Sequence, residues 1–453
     1  MNPLLLLLLI LTLAAIGVFV ILRWPDQAFW LTIVLLFDPS GHLSVFLSKE
    51  ALGGFYYQDF FFFLAFVPLF SPKVSVKPLL HYRPFLLLLG VQILFLLYHV
   101  LVFGYWQPAK GWGYVMRYVL VRERMSVFGF LLIIPVFVMA RRRLSLLVDI
   151  LVWTSLIVYI LYFVTLLTGV ELVPVWQAER YKGTGIMRYS LYSAGLTDML
   201  VPLTFFLIAR KVDYRFRKII IAATVLVIMS VMLSLTKSNY LNLFGLLVGA
   251  LFLYYRFYKI HITGIVFKLT GFSIILLLLM LQFFPEYPGL VVRQVKDLWL
   301  FLSGDAYTSG VVEGRLQNQW PAHLALISQH PWLGTGANFS DYFSLRFDPS
   351  DYEVTDLPIT GHLAMYGFVG LTIYSLFYFQ LWRWLVAGYK EFRSKIRTIN
   401  EVDLAFYFVV FAWMVKTFFF KPNYLFNELT TGTLHINLYA GILAALLYRQ
   451  SKI

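Results

Sequence analysis

Leu144–Thr168 reads LSLLVDILVWTSLIVYILYFVTLLT, 25 residues with one charge, Asp149. About 20 apolar residues on a helix cross the roughly 30 Å hydrocarbon core of a bilayer. A run of this length and polarity is a membrane-spanning helix. Arg141, Arg142 and Arg143 stand directly before it. Such a basic triplet marks a helix end and favours the cytoplasmic face, where Lys and Arg accumulate.

Reading outward, the same pattern recurs along the chain. Apolar runs lie near 3–22, 27–46, 53–71, 84–104, 122–140, 144–168, 192–209, 218–235, 238–255, 262–284, 357–383, 403–421 and 430–448. The run at 27–46 is interrupted by Asp38, Pro39 and Gly41. Basic clusters follow alternate runs: Lys73, Lys77 and Arg83; Arg141–Arg143; Arg210 to Lys218; Arg256 and Lys259; Lys390 to Arg397; Arg449 and Lys452. Each falls after an odd-numbered run, which predicts a cytoplasmic C-terminus. With thirteen spans the N-terminus is external, and losing the interrupted one reverses only that end. Met1-Asn2-Pro3 precedes Leu4–Leu22 without a basic region or a small-residue cleavage site. An uncleaved first helix is therefore expected.

Composition agrees. Hydrophobic residues make up 60% and charged residues 13%, against roughly a quarter charged in soluble domains. The expected fold is an all-α polytopic integral membrane protein of about 12–13 transmembrane helices. The chain, 1–453, reads as a single transmembrane domain. Its long extracytoplasmic loop, 285–356, carries amphipathic helical sequence and precedes a helix starting near 357. Shorter external loops cover 105–121 and 169–191. No internal repeat or low-complexity linker is evident.

The 37 basic and 23 acidic residues leave a net charge of +14. Much of it lies in short loops between apolar runs, so topology explains it before any nucleic acid does. Anionic membrane lipids or a phosphate-bearing lipid substrate are the second explanation. The absence of Cys excludes disulfides, thiolate metal sites and Cys nucleophiles. There is no P-loop, dinucleotide fingerprint, HExxH or CxxC, so no cofactor and no metal are expected.

Several polar groups stand where polarity is costly. In GRLQNQWPAHLALISQH, Gly314–His330, Leu316, Trp320, Leu324 and Ile327 form an apolar stripe. Arg315, Gln319 and His323 share another face. Pro321 kinks this helix unless it opens a second one. Such a helix suits the membrane surface, or else forms a plain lid. His330-Pro331-Trp332-Leu333-Gly334-Thr335-Gly336 follows; His330 most simply ends the helix, and Gly334 and Gly336 permit a tight turn. Asp356 before Leu357-Pro358 reads as a helix N-cap or as a general base at the membrane mouth. His362 lies six residues on, about 120° around the helix, as a functional candidate or a buried structural His. Arg188, Asp198, Lys237 and Lys416 fall at or inside helix ends. Lys416 could snorkel to the interface. Arg188, Lys237 and Arg315 are all external and suit a diphosphate.

Arg315-x4-Trp320 leading into His330-Pro331-Trp332-Leu333-Gly334-Thr335-Gly336 resembles the signature of the bacterial O-antigen ligase and polymerase superfamily. So do the late external loop and the helix with Gly367-Phe368-Val369-Gly370. Leu235-Thr236-Lys237-Ser238 looks like the family's Ser-Arg turn, with Lys for Arg, and Met187-Arg188-Tyr189 resembles its other basic position. The resemblance spans roughly 180–380 and implies a membrane glycosyltransferase of the GT-C type. Its donor is an undecaprenyl-diphosphate-linked glycan used at the outer face of the plasma membrane. Such a leaving group already carries its charge, so side-chain cations can stabilise it without a metal. Ligases of the family place a His-Asn pair eleven residues before the first Gly of the GxxG stretch; here that position is Asp356, which polymerases more often show.

The resemblance therefore favours a polymerase of lipid-linked repeat units, with a chain-length regulator as a possible partner. A ligase to lipid A core or protein is the alternative, and a flippase or other transporter of lipid-linked sugars is the rival of another class. Arg315 and Arg188, supported by Lys237, would hold the diphosphate, and Asp356, then His362, would serve the acceptor hydroxyl. Transporters bind near mid-membrane between repeats, and no repeat is seen here.

Overall fold

The computed structural model describes residues 15–37, 57–106, 128–170, 172–173, 175–179, 187–191, 196–234, 237–259, 320–334, 358–396, 398–420 and 432–451, with scattered positions between 264 and 296. Its helices are α1 (Pro25–Phe37), α2 (Tyr57–Leu64), α3 (Lys77–His81), α4 (Arg83–Trp106), α5 (Ile133–Arg143), α6 (Ser145–Thr168) and α7 (Leu200–Arg210). They continue with α8 (Arg217–Leu233), α9 (Lys237–Tyr258), α10 (Trp320–Gln329), α11 (Pro358–Ser394), α12 (Glu401–Val415) and α13 (Gly432–Gln450). The protein is an all-α polytopic membrane protein, with one addition. Strands β1 (Val175–Glu179) and β2 (Met187–Leu191) form an antiparallel hairpin in the 169–191 loop.

Among the described residues, Ser145–Thr168, Asn239–Tyr258, Ile359–Ser394 and Glu401–Phe420 are long and apolar enough to cross a membrane. Pro25–Phe37, Phe61–Phe70, Arg83–Tyr98 and Leu200–Arg210 are shorter apolar helices. The runs near 3–22, 27–46, 53–71, 122–140, 192–209 and 262–284 lie partly outside the described residues, as do the end residues of those near 218–235, 357–383, 403–421 and 430–448. So does most of the 285–356 loop. The decisive run forms α6 with its end at Gly169, whose φ of +72° closes a left-handed cap on Thr165 O at 2.9 Å. The run expected over 192–209 departs at its start: α7 begins only at Leu200, after a 3-10 turn at Thr197–Met199.

Helices pair as α5 with α13, α9 with α12, α6 with α8, α4 with α11, and α7 with both α9 and α12. The α9–α12 seam is close because Gly245 and Gly249, four apart, face it. A Cβ on Gly249 would lie 2.8 Å from Ala412 Cα, and one on Gly245 would lie 3.0 Å from Lys416 Cα. Small residues at this spacing let helix backbones approach where no hydrophobic force drives association. Across α7 and α8, the Thr204 and Thr224 hydroxyls bond at 2.7 Å.

The basic clusters gather at one end of the bundle. Arg449, ending α13, donates to Arg141 O at 3.1 Å and pairs with Asp403 at the start of α12. Arg210, ending α7, bridges to Glu401 at 3.0 Å. Tyr389, late in α11, donates to Arg256 O at the end of α9, and Lys395 donates to Gln450 O. The opposite end carries the hairpin, the α8–α9 turn and α10.

Candidate functional site

The site is built around a helix that breaks. Within α11, Gly367 has φ 61° and ψ −168°, a conformation open essentially to glycine alone. The break frees backbone donors of the next turn, and the His330–Gly334 turn accepts them. Phe368 N donates to Pro331 O at 2.9 Å and Val369 N to Trp332 O at 3.1 Å. Gly334 closes its own turn on His330 O at 3.0 Å with φ +68°. The two glycines are reciprocal. A Cβ on Gly334 would strike the Met365 carbonyl and Tyr366 N, and one on Gly367 would strike the Trp332 carbonyl, each closer than the 3.0 Å that real Cβ atoms respect. Tyr98 of α4 completes the joint, donating to Leu333 O at 2.6 Å.

α10 is thereby fixed against the first turns of α11. Its described part runs Trp320–Gln329, with Pro321 in the first described turn, where proline is tolerated. Its buried face is Ala322, His323 and Leu326, while Trp320 and Leu324 of the expected apolar stripe are exposed. Of the expected polar face, His323 belongs to the docked side: fully buried, it meets Thr360 Oγ1 at 3.0 Å through Nδ1. Burial pushes the His323 pKa down to about 4, so the ring is neutral at ordinary pH. The exposed Trp320 and Leu324 remain available to lipid.

His362 lies two residues beyond Thr360 on α11 and is fully buried. Its ring packs 5.1 Å from Tyr366 and edge-on to Tyr374 at 4.8 Å. Phe95 of α4 closes on both tyrosines. A donor or acceptor group thus stands within an aromatic wall directly behind the docked loop helix.

The two cationic positions described by their backbones lie at this same end. Arg188 is on β2, opposite Ala178 in register. β2 packs on α8, and Tyr162 of α6 anchors it by donating to Tyr189 O at 3.2 Å. Lys237 is the first residue of α9. The start of α9 is tied to the end of α8 by Asn239 Nδ2 donating to Ser234 Oγ at 3.1 Å and Tyr240 Oη donating to Met232 O at 2.9 Å. Arg315 and Asp356 lie outside the described residues. Among the described residues, no group of three His, Asp or Glu could hold a metal ion.

Deeper in the bundle, Lys416 Nζ binds Asp198 Oδ2 at 2.6 Å, with the lysine 1% exposed. Snorkelling is thus not its role. Lys416 stands beside Gly245 of α9, eight residues below Lys237, a rise of about 12 Å. α9 is long enough to cross the roughly 30 Å hydrocarbon layer, which puts the pair within the membrane. α7, only 11 residues long, begins at this depth. Non-helical backbone there needs a polar neighbourhood. α12 answers with a π turn at Lys416–Phe420, a bulge that often accompanies function. Sequence reading flagged both residues but not their pairing across 218 positions.

Residues 199–362 match the family model described as O-Antigen ligase. The match runs from the start of α7 to His362, through the α8–α9 turn and α10. It supports membership of the O-antigen ligase and polymerase superfamily, whose members act on lipid-linked glycans in membranes. No curated protein matches the chain.

Proposed function

We propose, taking membership of the O-antigen ligase and polymerase superfamily as the premise, that the chain is a polymerase of undecaprenyl-diphosphate-linked oligosaccharide repeat units. It works without a metal at the outer face of the bacterial plasma membrane, with the basic end cytoplasmic. The observation that supports this reading is the docked His330–Gly334 turn, which fixes α10, the helix that follows the Arg315 segment in sequence, against the first turns of α11. In the reaction the acceptor hydroxyl attacks the anomeric carbon of the donor glycan. The bond from that carbon to the diphosphate oxygen breaks, and undecaprenyl diphosphate leaves. Arg315 and Arg188, aided by Lys237, bind the departing diphosphate, which gains negative charge as the bond breaks. Asp356 takes the hydroxyl proton or orients the acceptor, with His362 as second choice because its ring is buried between tyrosines.

A ligase reading is favoured by one observation, the matched family description itself. Both readings share donor and site. They are separated by the glycan ladder of a deletion strain complemented with wild type, Asp356→Ala or His362→Ala. Loss of long chains with one repeat unit still attached to the final acceptor supports polymerase. Loss of all attached glycan, with long chains held on the lipid carrier, supports ligase. Arg315→Ala is expected to abolish transfer while inserting normally, and full activity would remove Arg315 from the diphosphate site.

A further inference from the structure

The basic end holds a cavity of about 570 Å³ that the glycosyl-transfer reading does not use. Arg141, Arg142, Arg143 and Arg449 line it, with Tyr448, Asn400 and Asp403. Four arginines line it because α5 and α13, packed along each other, end side by side. Ordinary positive-inside residues point separately into water; these converge on a concavity between helix ends.

Not all of this charge is spent internally. Arg449 is committed to Asp403 and to the Ala140 and Arg141 carbonyls. Arg142 is committed to Asp26 at 2.8 Å and to Lys73 O. Arg141 Nε is buried and meets no acceptor among the described residues, although Nη2 reaches Ser75 O at 3.5 Å. Among the described residues Arg143 is engaged through its carbonyl, which accepts from Trp30 Nε1 at 3.0 Å, and its side chain is exposed. Four cations against Asp26 and Asp403 leave two positive charges, on the two arginines with donors to spare. Asn400 adds the capped start of α12, its Oδ1 accepting from Val402 N at 2.8 Å. Planar forks of donors around a concavity suit a tetrahedral oxyanion better than a point charge.

We infer that this cavity is a phosphate-binding site, filled by the headgroup of an anionic phospholipid of the adjoining leaflet. Its position at the ends of membrane helices places it at headgroup level, where basic pockets between helices take up phosphate-bearing lipids. Free phosphate shares the chemistry, so the test separates the two sources. Purified full-length protein is placed in phosphatidylcholine nanodiscs with increasing phosphatidylglycerol, and separately in neutral detergent with inorganic phosphate at constant ionic strength. The readout is the thermal midpoint.

Phosphatidylglycerol is expected to raise the midpoint saturably. Arg143→Gln, which removes no hydrogen bond among the described residues and so keeps the unliganded midpoint, should weaken the apparent affinity about fivefold. Arg383→Gln, an exposed cation outside the cavity, should not. A response to inorganic phosphate alone, with the same Arg143 dependence, keeps the phosphate site and assigns a soluble source. A response to neither, or equal losses in both variants, overturns the proposal.

Discussion

Replacing Gly367 by Ala tests the joint between α10 and α11. The residue's φ of 61° and ψ of −168° lie where a side chain costs about 1–3 kcal/mol. The new methyl would also meet the Trp332 carbonyl inside van der Waals range. That carbonyl must move, which gives up the Val369 N bond to Trp332 O and the adjoining Phe368 N bond to Pro331 O. Each contributes about 1 kcal/mol net, so the joint should loosen by about 3–5 kcal/mol. The remaining bundle, with its separate α5–α13 and α9–α12 seams, should stay folded. The chain has no Cys, so Leu326→Cys, buried beneath α10 at 4% exposure, can report docking through maleimide labelling. A loosening of 3 kcal/mol should raise its labelling rate by about two orders of magnitude. Gly90→Ala is the control, with nothing within 4 Å of the new methyl and a helix-interior gain of roughly 0.5–1 kcal/mol. Unchanged labelling in the Gly367→Ala background, with full-length glycan product, would refute the reasoning.

His323 predicts a pH dependence. Its folded pKa is pushed down to about 4 from the ordinary 6.5, so its neutral ring supports docking fully above pH 6.5. That support is lost as pH falls from 6.5 towards 4, because the undocked chain binds the proton first. Leu326→Cys labelling should rise over this window, and His323→Asn should flatten the rise; an unaltered profile in that variant would exclude His323. For the ion pair, Asp198→Ala strands a buried ammonium and should cost about 3–5 kcal/mol. Lys416→Met leaves a carboxylate that is 23% exposed and should cost less, so equal drops in thermal midpoint would contradict the burial argument. Tyr98→Phe, losing its bond to Leu333 O, should shift labelling by about 1 kcal/mol, and no shift would mean that the bond holds nothing in place.

The sequence displayed the membrane helices well because hydropathy acts locally and at a fixed length. The run at 144–168 and α6 agree to one residue, and 218–235 and 238–255 lie close to α8 and α9. What escaped depended on distant partners. The α7 run looked like a full span, since Leu and Val read alike whether Asp198 faces lipid or Lys416. The 169–191 hairpin was hidden by its length, five residues per strand. The HPWLG and GFVG strings were visible as a family resemblance, but their mutual hydrogen bonds were not. His323 was read as part of a polar face and not as a buried contact, because its partner Thr360 lies 37 positions away.

The reciprocal glycines carry a consequence for how such a chain can change over generations. A crowded side chain can be accommodated when its neighbour becomes smaller, so most packing contacts drift by paired substitution. At Gly334 and Gly367 the neighbour is peptide backbone, which has nothing left to shorten. No second mutation elsewhere in the turn restores room for a methyl. The joint can be abandoned as a whole, but it offers no intermediate sequences through which it could be gradually rebuilt.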